Sequence, residues 1–443
     1  MLSSADNELL TRTGSGTPMG ELFRRFWVPV LLCEELPGPD CPPVRLKVMG
    51  EEYVAFRDTQ GRVGVIEPHC PHRGANLFFG RNEDGGLRCI YHGWKFDVEG
   101  RCMDMPSVPA NAGYRDKIGV KALPVRECGD FIWAYLGPAG RMPELAQMEF
   151  AMVPPAHRFV SKKLQQCNWA QSCEGGLDTT HFTYLHMAVG ESEEQLMQVL
   201  AGAEAGGQRD RARWLKNDGL PVFTVQPHPA GLVLGASRKA DGNDLYWRIS
   251  QFLMPCHALA PSAFPGENYH GQTWVPIDDT HCWIYCYSWN PQRPLSEEER
   301  AKFRAGHTVH ATLGPGYVPL RNRDNDYLID REVQKHRTFT GIEGVSEQDA
   351  AAQDSQGFIV DRTREHLGPT DLGIVQFRRL VLQAARDLAN GKEPPQAAVP
   401  AAYRVRSGGL VADRAKTLAE VMVERFGEPS GHAGETEARR QKA

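Results

Sequence analysis

The chain has 443 residues, with 50 basic and 55 acidic side chains and a formal net charge of −5. That length provides for two or three domains with substantial cores. The even mixing of charge excludes a nucleic-acid footprint or a polybasic membrane patch. No apolar run is long enough for a membrane helix, and Met1 to Asp6 lack the basic-then-apolar order of a secretion signal. The 11 cysteines are an odd count, scattered mostly through core-like segments, which is the usage of a reducing, cytoplasmic compartment.

In chain order, Thr17-Pro18 before Glu21, Leu22, Phe23, Phe26 and Trp27 predicts a capped helix, so 1–43 reads as an N-terminal helical segment. From Val44 the pattern changes to short β-like runs, Val44–Val48, Tyr53–Arg57 and Val63–Ile66, separated by Gly-rich turns. This predicts a small all-β domain over 44–150, with Gly137-Pro138-Ala139-Gly140 and Pro154-Pro155 at its exit. A larger domain follows over 151–426. Gly231–Arg238 with Leu245–Leu253, and Gln272–Pro276 with His281–Trp289, each flank a turn sequence and predict two hairpins. Asp371–Ala389 has helical periodicity, and a last helix is expected near Val411–Phe426. The polar, aperiodic 427–443 is expected to be a disordered tail. The fold class is therefore α+β.

Two pieces inside the β region carry chemistry. Cys70-Pro71-His72 and Cys89-Ile90-Tyr91-His92 each supply one thiolate and one imidazole, with sixteen residues between His72 and Cys89. This division suits a [2Fe–2S] pair in which two cysteines hold one iron and two histidines the other, which is the Rieske arrangement. A structural zinc site is the rival, but zinc sites usually pair like ligands within each arm. Gly74 and Gly93 suit loops whose backbone approaches cluster sulfurs. Respiratory Rieske proteins carry an extra disulfide-forming cysteine in each loop and a serine that bonds the cluster. Here Ala75, Tyr91 and Trp94 stand in those places, pointing to a lower-potential oxygenase or ferredoxin type.

A second signal is Asp178-Thr179-Thr180-His181-Phe182-Thr183-Tyr184-Leu185-His186. Two histidines and one carboxylate from elsewhere form the facial triad of mononuclear non-haem iron, leaving positions open for O2 and substrate. A spacing of five turns the second ring by about 140° on a regular helix. Either a π-type widening or a His186 beyond the helix end is therefore required. Asp178 reads as a carboxylate accepting the N–H of a metal-bound imidazole rather than as a ligand. Alone this motif is weak; an electron-donating cluster about ninety residues earlier gives it meaning, because the cluster needs an acceptor.

Together these residues resemble the catalytic subunit of Rieske non-haem iron oxygenases, in the phthalate dioxygenase-like branch, over nearly the whole chain. The resemblance rests on Cys70 to Ala75, Tyr91 to Lys95, Asn168-Trp169 with Glu174 to His186, and Arg323 to Arg331. Glu347-Gln348-Asp349, Gln356-Gly357 and Asp361 to Gly368 complete it. It implies a Rieske domain followed by a helix-grip catalytic domain with an antiparallel sheet, assembled as a homotrimer or stacked hexamer. It further implies that Cys70, His72, Cys89 and His92 bind the cluster, and that His181, His186 and Asp349 bind the iron. Asp178 would link His181 to a cluster histidine, His92, of the neighbouring subunit. Locally nothing separates Asp349 from Asp326, Asp354 or Asp361.

The implied activity is oxygenation of an aromatic carboxylate with O2 and NADH-derived electrons, in the first place phthalate-type dioxygenation. O-demethylation or monooxygenation of a methoxylated aromatic acid, and a pure electron carrier, are the alternatives. No G-x-G-x-x-G follows a strand and no plant-type cysteine run is present, so NADH would act through a separate flavin/iron–sulfur reductase. A substrate carboxylate calls for an arginine fork. Arg211, Arg213, Arg238 and Arg248 are the candidates. Arg248 stands in an otherwise apolar strand, whereas Arg211 and Arg213 read equally well as a solvated, salt-bridged helix face.

Overall fold

The computed structural model describes residues 1–109, 113–189 and 208–427. All but the first residue of the expected disordered tail lies outside these residues. Helix α1 (Ser4–Thr11) and α2 (Pro18–Phe23) open the chain; Thr17 caps α2 by accepting the Gly20 N–H at 3.2 Å. The segment 1–43 is not helical throughout, because Trp27–Leu32 forms strand β1. All six of its residues are buried, which needs cover on both faces and does not suit an amphipathic helix.

The β region forms three small antiparallel sheets. Strands β2 (Val44–Val48), β3 (Glu51–Arg57) and β4 (Val63–Ile66) make one; β5 (Arg81–Glu83), β6 (Gly86–Arg88), β7 (Lys95–Phe96) and β8 (Cys102–Asp104) make the second. Strands β9 (Val125–Cys128) and β10 (Phe131–Tyr135) join β1 in the third, with β10 in the middle and paired to both. Val54, Phe56, Ile66, Leu77, Leu87 and Phe96 pack beneath the two Cys/His loops as a separate small core.

After α3 (Glu149–Met152) and β11 (Arg158–Gln165), helix α4 (Trp169–Leu177) leads into the Asp178–His186 segment. Helix α5 (Gln208–Asn217) precedes β12 (Val222–His228), β13 (Gly231–Lys239), β14 (Asp244–Leu253), β15 (His257–Leu259), β16 (Tyr269–Pro276) and β17 (Cys282–Trp289). These strands form one antiparallel sheet in the order β11-β17-β16-β15-β14-β13-β12. Both expected hairpins are present, β13 with β14 and β16 with β17. Helices α6 (Glu297–Arg304), α7 (Arg331–His336), α8 (Val345–Ser355) and α9 (Leu372–Ala389) follow. Helix α9 buries Ile374, Phe377, Val381, Leu382, Ala385 and Leu388, and Phe377 meets Phe252 of β14 edge-on at 4.8 Å.

The last expected helix is shorter than its periodicity suggests. Gly408–Asp413 is strand β18, paired with β14, and helix α10 covers only Leu418–Phe426. The Thr417 and Glu420 capping box fixes that start, and the apolar side chains before it complete the sheet.

Helix α4 lies very close to the sheet. A Cβ on Gly176 would come within 2.4 Å of the Trp274 ring, and that ring is held by its Nε1–H donating to Ser172 Oγ at 2.8 Å. Glu174 anchors the same helix from its other side through ion pairs to Arg362 at 3.0 Å and to Arg378 of α9 at 2.7 Å. The helix end that delivers Asp178 is therefore set by a glycine contact and a buried ionic triad.

Candidate metal centres and cavity

The two Cys/His loops are built alike. In the first, the Cys70 N–H donates to the Ala75 carbonyl at 2.9 Å and the Gly74 N–H to the Cys70 carbonyl at 2.9 Å. In the second, the Cys89 N–H donates to the Trp94 carbonyl at 2.8 Å and the Gly93 N–H to the Cys89 carbonyl at 3.1 Å. Each turn needs the same left-handed residue, and Gly74 and Gly93 both have φ of 75°. The loops bring the His72 and His92 rings to 4.4 Å, and both cysteines are buried as free thiols. Burial pushes the Cys70 thiol up to about 11, so a thiolate here needs a cation beside it. His72 Nδ1 is buried without a partner. Trp94 stacks on His72 at 4.5 Å and gives its indole N–H to Ser107, which closes the loops from one side. These donors fit an iron–sulfur cluster.

The second centre forms where α4 ends. Asp178 caps the helix, His181 opens a single 3-10 turn, and His186 lies in the turn beyond it. The five-residue spacing is thus met by leaving the helix, the second of the two alternatives. Asp349 arrives from α8, with its Oδ1 at 3.4 Å from His181 Nε2 and 3.1 Å from His186 Nε2. Donor atoms of the three residues lie within 4.8 Å of one another.

The other ring nitrogens explain the purpose of this convergence. His181 Nδ1 meets Asp178 Oδ2 at 3.2 Å, and His186 Nδ1 meets Gln348 Oε1 at 2.7 Å. Both acceptors require a protonated Nδ1, which leaves a lone pair on each Nε2 facing the Asp349 carboxylate. Both Nε2 atoms are buried and unpaired. Lone pairs converging on a carboxylate repel unless a cation sits between them, so the set fits a mononuclear metal. Burial by itself would raise Asp178, but the hydrogen bonds from His181 and the Thr180 N–H outweigh it and hold the carboxyl below its usual range. In the sequence Gln348 stands only as part of the Glu347-Gln348-Asp349 resemblance, with no role of its own; its place directly before Asp349 is the available signal.

A cavity of about 170 Å³ opens beside this centre. Asp178, His181 and Asp349 line it at one end, and Arg248, Arg211, Glu267, His270 and Gln272 line it elsewhere, with apolar cover from Phe182, Leu215 and Tyr246. Arg248 of β14 is 3% exposed. Its Nε donates to Thr179 Oγ1 at 2.6 Å, and its guanidinium lies 4.1 Å from the Phe182 ring centroid. Its Nη2 is buried with no hydrogen-bond partner.

The other arginines behave differently. Arg211 lines the cavity but is engaged by both oxygens of Glu267, at 2.6 and 3.0 Å, so it is not on a solvated face. Arg213 is on such a face, bonded to Asp210 and Asp241. Arg238 is buried and donates to the Thr179 carbonyl at 2.9 Å; burial, with the Arg248 charge adding to it, lowers it to about 10. Two guanidinium groups therefore hold Thr179, the residue after Asp178.

Residues 26–124 match the Rieske [2Fe-2S] domain family, and residues 134–411 match the family described as LigXa C-terminal domain like. The chain is 40% identical over 391 residues to the phthalate 4,5-dioxygenase oxygenase subunit of Pseudomonas putida, covering 87% of this chain and 86% of that protein. It is 38% identical over 408 residues to the 3-chlorobenzoate-3,4-dioxygenase oxygenase subunit of Comamonas testosteroni, covering 89% and 91%. Among solved structures it resembles dicamba monooxygenase bound to dicamba, with a TM-score of 0.57 and 18% identity over 83% of this chain and 99% of that one; that likeness bears on the fold alone. A β domain with paired Cys/His loops, followed by a sheet-and-helix domain with a two-histidine, one-carboxylate centre, thus agrees with what the relatives are: the chain belongs to the Rieske oxygenases, as an oxygenase subunit that works with a [2Fe–2S] cluster and a mononuclear iron.

Proposed function

We propose that this oxygenase hydroxylates an aromatic carboxylate, in the first place by phthalate-type dioxygenation. The observation that carries the reading is Arg248 Nη2, a buried cationic donor without a partner on the wall of the cavity that also holds His181 and Asp349. An unpaired buried guanidinium is costly, and a substrate carboxylate would satisfy it with a charge-assisted bond. The two relatives named above act, by their names, on phthalate and 3-chlorobenzoate, both aromatic acids. Arg211, already paired with Glu267, would contribute by fixing the cavity wall.

In this reading Cys70, His72, Cys89 and His92 hold the cluster, and His181, His186 and Asp349 hold the iron. The cluster supplies single electrons and the iron supplies an open coordination site for O2. Asp178 and Gln348 keep the two imidazoles in the tautomer that binds metal. Electrons come from NADH through a separate flavin/iron–sulfur reductase, since the chain carries no nucleotide-binding fingerprint.

The acting assembly is proposed as a ring of three subunits, singly or as a stacked pair, in the cytoplasm. Tyr184 and Phe339, in contact at 5.8 Å, are 58% and 49% exposed beside the iron centre, and Leu328 is 58% exposed. Exposed apolar side chains of this kind favour burial against a neighbouring subunit. None of the 11 cysteines is paired in a disulfide, which agrees with a reducing compartment. The test is substrate-dependent NADH and O2 consumption with a reconstituted reductase, across benzoate, the phthalate isomers and methoxybenzoates. Coupled consumption with a phthalate isomer is expected; consumption with none of the acids would overturn the substrate class.

A further inference from the structure

From His270, which lines the cavity, four side chains form a single file of hydrogen bonds. His270 Nδ1 meets Ser288 Oγ at 2.7 Å, Ser288 Oγ meets His310 Nε2 at 2.8 Å, and His310 Nδ1 meets Ser161 Oγ at 2.7 Å. The sheet register builds this row. His270 of β16 is directly opposite Ser288 of β17, and Ser288 is paired with Phe159 of β11, two residues from Ser161. His310, in the loop after α6, bridges the two serines. Because β11 ends the sheet order, the row runs from the cavity to the sheet edge, where Ser161 is partly exposed.

Its middle is sealed. His310 is fully buried, with the Phe159 and Phe303 rings at 4.9 and 5.1 Å. Burial pushes His270 down to about 4 and His310 well below its ordinary range. The charged groups facing them are Glu299 of α6 near His270 and Lys163 of β11 near His310. Both imidazoles are therefore neutral at neutral pH, each with one N–H and one lone pair. His270 Nδ1 is used within the row, so Nε2 is its nitrogen for the cavity.

We propose that His270, Ser288, His310 and Ser161 form a proton relay that delivers one proton from solvent to the oxygenation cavity. Both dioxygenation and monooxygenation of an aromatic substrate with O2 consume two electrons and two protons, and the electron donor supplies only the electrons. At the start Ser161 donates to His310 Nδ1, His310 Nε2–H to Ser288, Ser288 to His270 Nδ1, and His270 Nε2–H faces the cavity. Loss of the Nε2 proton to an acceptor in the cavity moves each hydrogen one heavy atom forward, and Ser161 takes a replacement from water. The reversed row has the same number of hydrogen bonds, so no buried group is left unsatisfied in either state. His270 acts as the general acid, and the other three residues position and refill it.

The test uses the whole protein and two nearly isosteric variants, Ser288→Val and Ser288→Thr, of which only the second keeps the hydroxyl. With the aromatic acid that gives the fastest wild-type turnover, Ser288→Val is expected to lower kcat by about a hundredfold. KM should not change, the solvent deuterium isotope effect on kcat should change, and Ser288→Thr should restore both rate and isotope effect. Unchanged kcat in Ser288→Val, a change confined to KM, or equal losses in both variants that recur in the Val and Thr variants of Ser161 overturns the relay. Ser161→Val and Ser161→Thr, at the sheet edge, repeat the comparison if position 288 does not accept a larger side chain. Neutron diffraction from deuterated crystals tests the row without any substrate. One deuteron in each link and a singly protonated His310 are expected. A link without a deuteron, or a doubly protonated His310, refutes the relay whatever the substrate proves to be.

Discussion

Gln348 shows how a single amide decides what a neighbouring histidine can do. Its Oε1 accepts from His186 Nδ1 at 2.7 Å, and its own N–H donates to the Ile342 carbonyl at 2.8 Å, which fixes the amide orientation. Gln348→Leu keeps the bulk and removes the acceptor. Iron affinity should fall about ten- to a hundredfold in a metal titration, while the visible absorbance of the cluster is unchanged. Arg248 is the corresponding residue on the substrate side. Arg248→Ala removes a charge-assisted pair worth about 1.5–3 kcal/mol, so carboxylated substrates should bind roughly ten- to a hundredfold more weakly. The same change removes the donor to Thr179 Oγ1, so a neutral analogue must be measured beside the acid. Equal losses for both would assign Arg248 to holding the Asp178 segment rather than to the substrate.

Among the elements, α4 is the one that joins structure to chemistry. It carries Glu174, ends at Asp178, and lies against α8, the helix that brings Asp349. Burial alone would raise Glu174, but the charges and hydrogen bonds of Arg362 and Arg378 outweigh it and hold the carboxyl below its usual range. A depressed carboxyl stabilises the fold above its unfolded pKa, near 4.3, and that contribution is lost as pH falls through the folded value. Glu174→Gln should therefore lower the unfolding free energy at pH 7 by about 3–5 kcal/mol and flatten the acid limb of the stability curve. Urea unfolding at pH 7 and at about pH 4 checks both parts. A variant with the wild-type acid limb would show that the triad is not the acid-sensitive element.

At the scale of the whole molecule, the question is which cluster serves which iron. Among the described residues, no recorded hydrogen bond joins Asp178 to His92 within one chain. The Asp178 side chain is 29% exposed, free to meet a neighbour. If electrons cross between subunits, Cys89→Ser and His186→Ala chains should each be inactive alone. Co-expressed, they should regain turnover, because one subunit keeps an intact cluster and its neighbour an intact iron centre. Product formation by the mixed assembly is the measurement; no recovery in a verified mixed assembly would place the electron path within one subunit.

Much of this molecule was legible in its residues. The paired loops of Cys70 and His72 and of Cys89 and His92 were legible because their geometry is local: each closes on itself through its own glycine. The β13–β14 and β16–β17 hairpins were equally plain, since a turn sequence between alternating runs specifies its own pairing. Asp178, His181 and His186 could be named from spacing, but how a five-residue interval is accommodated depended on where α4 stops. Asp349 was indistinguishable from Asp326, Asp354 and Asp361 by any local feature, because the packing of α8 against α4 selects it. The same holds for β18, whose pairing with β14 overrode helical periodicity, and for the arginines. The chain context sets Arg248, in an apolar strand, apart from Arg211, on a charged helix; only the folded cavity gives Arg211 its Glu267 partner and leaves Arg248 with a free donor. Local turn chemistry and ligand type were written in the sequence, whereas partner choice across the chain was decided by tertiary packing, where distant residues first meet.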